Sequence, residues 1–385
     1  MSPNLAEAAP RCHHCGQTQL RPALGYEQAQ RVTSDCKPWR AGGVLALCPA
    51  CGLVQTVVGP RWQAEAEEIY AAYTIYHQSG GREQPIFAGP AGAAQARSEA
   101  IIQALVAHTP MPARGRWLDV GCGNGALLRA CGQALPGWTL FGSEVNDKYR
   151  GVVEALPGVE RLLTGPLAGL PTGFDLISLV HVLEHVPGPQ ALLRDLAGHL
   201  NPGGRLLVEV PDCRQNPFIL MVADHCSHFS LGMLRRVVAG AGYKLLHATE
   251  TWVPKEITLV AQLTPGLSAA SEGPCLGESD QVLTGWATLQ AIVNQVALLA
   301  AQPGFGIFGT SIAATWLDAQ TGGRAQFFVD EDPHRVGQEH LGRPILAPAT
   351  VPAEAKVYLA LPPALATRVA QRLRAARPSV ELVSP

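Results

Sequence analysis

The stretch Arg116-Trp117-Leu118-Asp119-Val120-Gly121-Cys122-Gly123-Asn124-Gly125 constrains the fold of this 385-residue chain more than any other. Its apolar run ending at Asp119-Val120 reads as a buried strand. The three glycines then make a tight turn, and Ala126-Leu127-Leu128-Arg129-Ala130 opens a helix. Glycine tolerates positive φ and lets a ligand approach bare backbone. Strand, glycine turn and helix N-terminus, in that order, form the nucleotide-binding edge of a doubly wound α/β sheet. The letters also satisfy Gly-x-Gly-x-x-Ala, so the glycines alone do not name the ligand.

Three further motifs narrow the reading. Thr139–Glu144 reads as the next strand and closes on Glu144, a carboxylate placed to accept both hydroxyls of a ribose. A buried strand, Asp175–Val180, runs into His181-Val182-Leu183-Glu184-His185, and Leu200-Asn201-Pro202-Gly203-Gly204-Arg205 leads into another. Over residues 95–263 these motifs resemble the class I S-adenosylmethionine-dependent methyltransferases. The resemblance implies a Rossmann-like, seven-stranded methyltransferase core. It also implies S-adenosylmethionine as cofactor, in a site lined by Asp119, Gly121, Cys122, Gly123, Gly125, Glu144, Val180 and His181. The remaining predicted strands are Arg161–Thr164, Arg205–Val210 and an antiparallel pair, Lys244–Glu250 and Ile257–Leu263. Helices are predicted over 92–108, Gln190–Leu200 and Leu231–Ala239.

Upstream lie Cys12-His13-His14-Cys15-Gly16 and Cys48-Pro49-Ala50-Cys51-Gly52. Each has the knuckle form, in which the glycine lets backbone NH groups face a thiolate. Four thiolates close a tetrahedral site with no open position, so Cys12, Cys15, Cys48 and Cys51 are expected to hold a structural zinc. A redox site would need only one such pair. The following segment carries Tyr70, Tyr73 and Tyr76, either as a helix face packed on the core or as a lid bringing a phenol over the cofactor.

A zinc lobe, the segment Tyr76-His77-Gln78-Ser79-Gly80 and a methyltransferase core are together similar to the sugar C-methyltransferases of deoxysugar biosynthesis. That resemblance implies an active-site Tyr76. It also matches Asp224, His225, Phe229 and Ser230 to the family's acidic-His-x-x-aromatic-Phe-Ser pattern, with His228 replacing the aromatic. His225 is then the expected general base, with Asp224 orienting it or raising its basicity. His181, leaving the fourth strand at the same edge, is the second candidate, and Glu184-His185 reads as a structural turn. The chain departs from the family at Pro254-Lys255-Glu256-Ile257-Thr258, which keeps the acid but lacks two glycines and an arginine.

The balance of 29 basic and 31 acidic residues gives a net charge of −2. That argues against a broad nucleic-acid or membrane-surface footprint. No apolar run reads as long enough to span a bilayer, and the first residues lack the pattern of a secretory signal. Ten cysteines, four of them in the two pairs, suit a reduced cytoplasmic compartment.

Residues 264–280 read as a linker and Thr284–Ala300 as a helix. Strands Gly304–Phe308, Gln326–Asp330 and Lys356–Leu361 suggest a small Rossmann-like lobe, read as scaffold or substrate wall before nucleotide binder. The expected division is a zinc-binding lobe with its tyrosine segment (1–90), a methyltransferase core (91–265), and a linker helix with the C-terminal Rossmann-like lobe (266–385). The function expected is S-adenosylmethionine-dependent C-methylation of a sugar, nucleotide sugar or related small molecule through a histidine base. O-methylation of a glycan or small metabolite is the alternative within enzymes, and a noncatalytic S-adenosylmethionine-binding scaffold the alternative outside them.

Overall fold

A computed structural model of the chain describes residues 10–76, 79–83, 85–88, 93–264, 266, 274–376 and 379–385. Its central sheet has seven strands: β1 (Gly115–Val120), β2 (Trp138–Glu144), β3 (Val159–Thr164), β4 (Phe174–Val180), β5 (Leu200–Pro211), β6 (Tyr243–Thr249) and β7 (Glu256–Leu263). They lie in the order β3-β2-β1-β4-β5-β7-β6. β1 to β5 run parallel, and β7 is antiparallel to both of its neighbours. This is the Rossmann-like, seven-stranded core expected from the sequence. The strand order reverses between β1 and β4, and the crevice at their carboxyl ends is where such sheets take ligands.

Both faces of the sheet are covered, which is why its strands read as near-continuous apolar runs. On one face Ile101, Ile102 and Leu105 of helix Arg97–His108 and Leu127 and Leu128 of helix Ala126–Ala134 pack on Trp117, Leu140 and Leu176. On the other, Leu193 and Leu196 of helix Pro189–Ala197 and Leu234 and Val237 of helix Leu231–Gly240 pack on Leu118, Ile177 and Val208. Each such side chain contributes roughly 1.5–3 kcal/mol. Ser230 caps the last of these helices, its hydroxyl accepting from the Met233 amide at 3.3 Å. The helix predicted to reach Leu200 stops at Ala197, because Leu200 already pairs with Phe174 as the start of β5.

The N-terminal lobe is a four-stranded antiparallel sheet in the order Arg21–Pro22, Leu45–Leu47, Val54–Thr56, Ser227–His228. Its last strand comes from the core segment, so the expected boundary near residue 90 is crossed by a shared sheet. Helix Pro60–Ala71 carries Tyr70 and ends before Tyr73 and Tyr76, so the three tyrosines do not share a helix face. His77 and Gln78 lie outside the described residues. A hairpin, Pro85–Ala88 with Ala93–Ala96, precedes helix Arg97–His108, where the sequence suggests helix from residue 92.

Helix Leu276–Ala300 begins eight residues ahead of its predicted start. Contrary to the sequence reading, it is long and apolar enough, by length and composition alone, to cross a bilayer. Its stripe of Val282, Trp286, Leu289, Ile292 and Val296 packs with Phe218, Leu220, Phe305, Trp316 and Tyr358, while only 33% of its apolar window is buried. The C-terminal lobe is a six-stranded sheet in the order Glu339–His340, Arg343–Leu346, Phe327–Val329, Phe305–Phe308, Lys356–Leu359, Glu381–Val383, parallel except for its first pair.

Candidate active site

At the crevice, Gly121, Gly123 and Gly125 take φ of 69°, 56° and 79°. The positive φ favours glycine at all three positions, and a Cβ there would meet side-chain methyls of Val182, Ile75 and Leu156 respectively. The Gly123 amide donates to Glu144 Oε1 at 2.6 Å, and the Val145 amide to Oε2 at 3.2 Å. Val145, 83% exposed, sets an apolar face beside that acid. Cys122 turns its side chain inward against Gly142 and offers the crevice only backbone. Asp119 is buried beneath the turn and accepts from Ser178 Oγ at 2.6 Å; burial pushes its carboxyl up to about 7. Bare backbone, an acid at the end of β2 and an apolar face beside it fit an adenosyl cofactor.

The tyrosine segment lies over this turn. Lys148 Nζ donates to the Tyr73 carbonyl at 2.8 Å, the Ile75 amide donates to Tyr149 Oη at 3.2 Å, and Asn124 Nδ2 donates to the Gly81 carbonyl at 2.6 Å. Tyr76, with φ 50°, meets Arg97 at the start of its helix. Arg97 Nη2 donates to Tyr76 Oη at 3.1 Å, and Nη1 donates to His181 Nε2 at 2.8 Å. A guanidinium only donates, so His181, which follows Val180 at the end of β4 with φ 55°, is neutral with its proton on Nδ1. That nitrogen is 3.3 Å from Glu184 Oε1. Burial, then the Arg97 charge, lowers the His181 pKa.

Three acids surround the group. Glu83 Oε1 is 3.4 Å from Arg97 Nε, and Glu256 Oε2 is 3.5 Å from His181 Nε2. Glu209 accepts from Thr258 Oγ1 at 2.9 Å. Burial pushes Glu209 up to about 7 and Glu256 well above the carboxylate range. Sequence reading missed Arg97, whose one signal is a basic residue opening an amphipathic helix.

Asp224 is fully buried, and its carboxylate turns to Ser34 and His185 where His225 was the expected partner. It accepts from the Ser34 amide at 2.9 Å and hydroxyl at 2.5 Å, and Oδ2 lies 3.4 Å from His185 Nδ1. Burial raises the Asp224 carboxyl, but the hydrogen bond and charge of His185 outweigh it and hold it at about 2. Burial likewise opposes the charge on His185, and Asp224 overrides it, leaving His185 raised. His225 stands at right angles to His185 with ring centroids 4.6 Å apart. Burial, then the charge of His185, drives His225 well below its ordinary value. Among the described residues, His225 Nδ1 and both Glu184 carboxylate oxygens have no hydrogen-bond partner. One ligand atom from each of Glu184, His185 and His225 lies within 4.8 Å of the others, close enough to share a cation. His228 is a strand residue paired with Val54, its Nε2 3.3 Å from Thr56 Oγ1.

Away from the crevice the four knuckle sulfurs converge. Cys12 and Cys51, and Cys15 and Cys48, are each 3.5 Å apart. A tetrahedron with zinc–sulfur bonds of about 2.3 Å has edges of roughly 3.8 Å, so the set fits that ion. The Cys275 amide donates to the Cys51 carbonyl at 3.1 Å, and the Ser279 hydroxyl donates to the Gly52 carbonyl, so the second knuckle seats the start of the long helix. A cavity of about 670 Å³ opens between the lobes, lined in part by Lys37, Ser79, Arg82, His334 and His340.

Residues 93–248 match the family model described as a methyltransferase domain. A ubiquinone biosynthesis O-methyltransferase of Pseudomonas putida is 32% identical over 127 residues, 31% of this chain and 53% of that protein. Its counterpart in Aeromonas salmonicida is 30% identical over 115 residues, 28% of this chain and 48% of that one. The chain thus spans about half the length of the curated relatives it matches. Among solved structures, an S-adenosylmethionine-dependent methyltransferase from Mesorhizobium loti aligns with a TM-score of 0.36 at 18% identity, over 45% of this chain and 100% of that one.

Proposed function

We propose that this chain, whose residues 93–248 make up a class I S-adenosylmethionine-dependent methyltransferase domain, methylates a carbon of a nucleotide-linked keto-sugar. The glycine turn and Glu144 would hold the cofactor, which supplies an electrophilic methyl group on its sulfonium. His225 leaves Nδ1 without a hydrogen-bond partner among the described residues, so that nitrogen would take the proton from the carbon beside the carbonyl, although burial and the His185 charge weaken it as a base. Tyr76 would donate to the carbonyl oxygen as it gains enolate charge, the placement of a donor where charge develops. His181 is engaged by Arg97, which leaves His225 the freer of the two bases.

The observation that carries this reading is the Arg97–Tyr76 hydrogen bond: the guanidinium donates to the phenol oxygen, so the phenol proton remains to be given to an acceptor. Two features bear on the departure from the sugar C-methyltransferase pattern. Lys255 takes φ 70°, a conformation a glycine would supply, and the Arg97 charge acts on Glu256 from beside their shared neighbour His181. Lys37, Arg82 and His334 in the interlobe cavity would suit the phosphates of the nucleotide. The division into a lobe with structural zinc, a methyltransferase core and a C-terminal wall belongs to the same reading. Labelled S-adenosylmethionine with nucleoside-diphosphate keto-sugars is the test. The expected product carries the label as a carbon-bound methyl; transfer to a hydroxyl, or to none of these sugars, would overturn the reading.

Oxygen methylation is the second reading, favoured by the grouping of Glu184, His185 and His225 and by the names of the relatives. A divalent cation held there would bind and acidify an acceptor hydroxyl. Brief chelation would then stop transfer to a phenolic acceptor, whereas carbon methylation through His225 would continue.

A further inference from the structure

The C-terminal lobe has the parallel strands of a nucleotide-binding fold, yet the strand-end edge where such a fold takes its ligand is filled by its own side chains. Thr310 is the second residue after strand Phe305–Phe308, and Asp330 directly follows Phe327–Val329. Thr310 Oγ1 donates to Asp330 Oδ2 at 2.6 Å and accepts from Arg335 Nη1 at 2.8 Å. Asp332 Oδ2 lies 3.5 Å from Arg335 Nε and Asp330 Oδ2 3.7 Å from Nη1, so the guanidinium charge is balanced within the lobe. Arg335 is only 4% exposed.

Its Nε reaches out of the lobe and donates to Ser79 Oγ at 3.1 Å, across 256 residues of sequence. Ser79 is itself buried. Its amide and that of Gly81 both donate to the Tyr76 carbonyl at 3.0 Å, and the Arg82 amide donates back to the Ser79 carbonyl at 3.1 Å. The far lobe therefore holds the hydrogen-bonded turn that carries Tyr76. We infer that Arg335 is a positioning residue: the C-terminal lobe fastens the Tyr76 turn over the methyltransferase crevice, and its strand-end cluster is a socket for that turn in place of a nucleotide. The interlobe cavity is lined from both sides of this joint, by Ser79 and Arg82 of the turn and by His334 of the lobe. A ligand seated there would touch the joint that places the phenol.

The inference goes beyond the proposed methyl acceptor and is tested without one. Hydrogen–deuterium exchange would be followed on the full chain as wild type, Ser79→Ala, Arg335→Met and the double variant. Losing a hydrogen bond to a charged donor should speed exchange of the amides at 79, 81 and 82 about tenfold in each single variant. The double variant should exchange no faster than Arg335→Met, since both changes cut one bond. Strand Phe305–Phe308 serves as the control and should keep its protection. Unchanged exchange at residues 79–82 in Ser79→Ala, or additive effects in the double variant, would overturn the inference. If Arg335→Met also loosens Phe305–Phe308, Ser79→Ala decides, because it removes the acceptor without touching the lobe.

Discussion

At the scale of single residues, the proposed function assigns binding and reaction to different groups, and each assignment can be tested alone. Glu144 meets the glycine turn through the Gly123 amide, so Glu144→Ala should weaken S-adenosylmethionine binding by about 1–3 kcal/mol, the range for hydrogen bonds to a charged partner. Titration calorimetry checks this, and equal affinity would remove Glu144 from the cofactor site. His225→Asn should leave that affinity alone and reduce turnover by about 10²–10⁴-fold. Because burial holds His225 well below 6.5, it stays unprotonated through mild acid, and the wild-type rate should stay level from pH 8 to below 6.5. A rate that falls through 6.5 would point instead to a solvated base. Stability should behave differently. Burial lowers His228 to about 3, so between 6.5 and about 3 the unfolded chain binds a proton the folded chain refuses. Stability is thus retained above 6.5 and lost as pH falls, by about 2 kcal/mol at pH 5. Denaturant melts at pH 7.5 and 5 should show His228→Gln losing less than wild type over that interval.

Among the elements, what was legible in the sequence followed from locality. β1 and β4 announce themselves because strands buried on both faces are apolar throughout, and the glycine turn because its residues are contiguous. Hairpin Pro85–Ala88 with Ala93–Ala96 left no such mark, and Leu200 changed from helix to strand because its partner, Phe174, is remote in sequence. The same limit governs the site. Asp224 sits beside His225 in the chain, yet the fold gives its carboxylate to His185 and Ser34, a choice made by tertiary packing that spacing cannot encode. Arg97 was hidden for a like reason, since Tyr76 and His181, which accept its hydrogen bonds, come from a turn and a strand end. One element-level joint makes a sharp prediction. Gly52, with φ 91°, has Cys275 and Ser279 where a Cβ would go, so Gly52→Ala should destabilise the chain by about 1–3 kcal/mol and unseat the start of helix Leu276–Ala300. Thermal melting and exchange at residues 276–283 would register it; an unchanged melt would mean the knuckle does not seat the helix.

Across the whole molecule, the cysteine knuckles, the core and the C-terminal lobe lean on one another at joints far apart in sequence. Stripping the ion from Cys12, Cys15, Cys48 and Cys51 should therefore lower the melting temperature of the entire chain, because metal binding to such sites is folding free energy. Elemental analysis should find about one zinc per chain before stripping, and an unchanged melt after it would deny the ion a structural role.

The shared sheet reaches further, into synthesis. Ser227–His228 pairs with Val54–Gln55, and His228 contacts Thr56 from 172 residues away. At about 5–20 residues per second, a ribosome needs roughly 10–30 s to make the intervening chain. Throughout that interval strand Val54–Thr56 has an open edge, and open edges recruit other strands. The N-terminal lobe is thus a unit whose last piece is delivered late, and its integrity at birth depends on how fast the core emerges behind it.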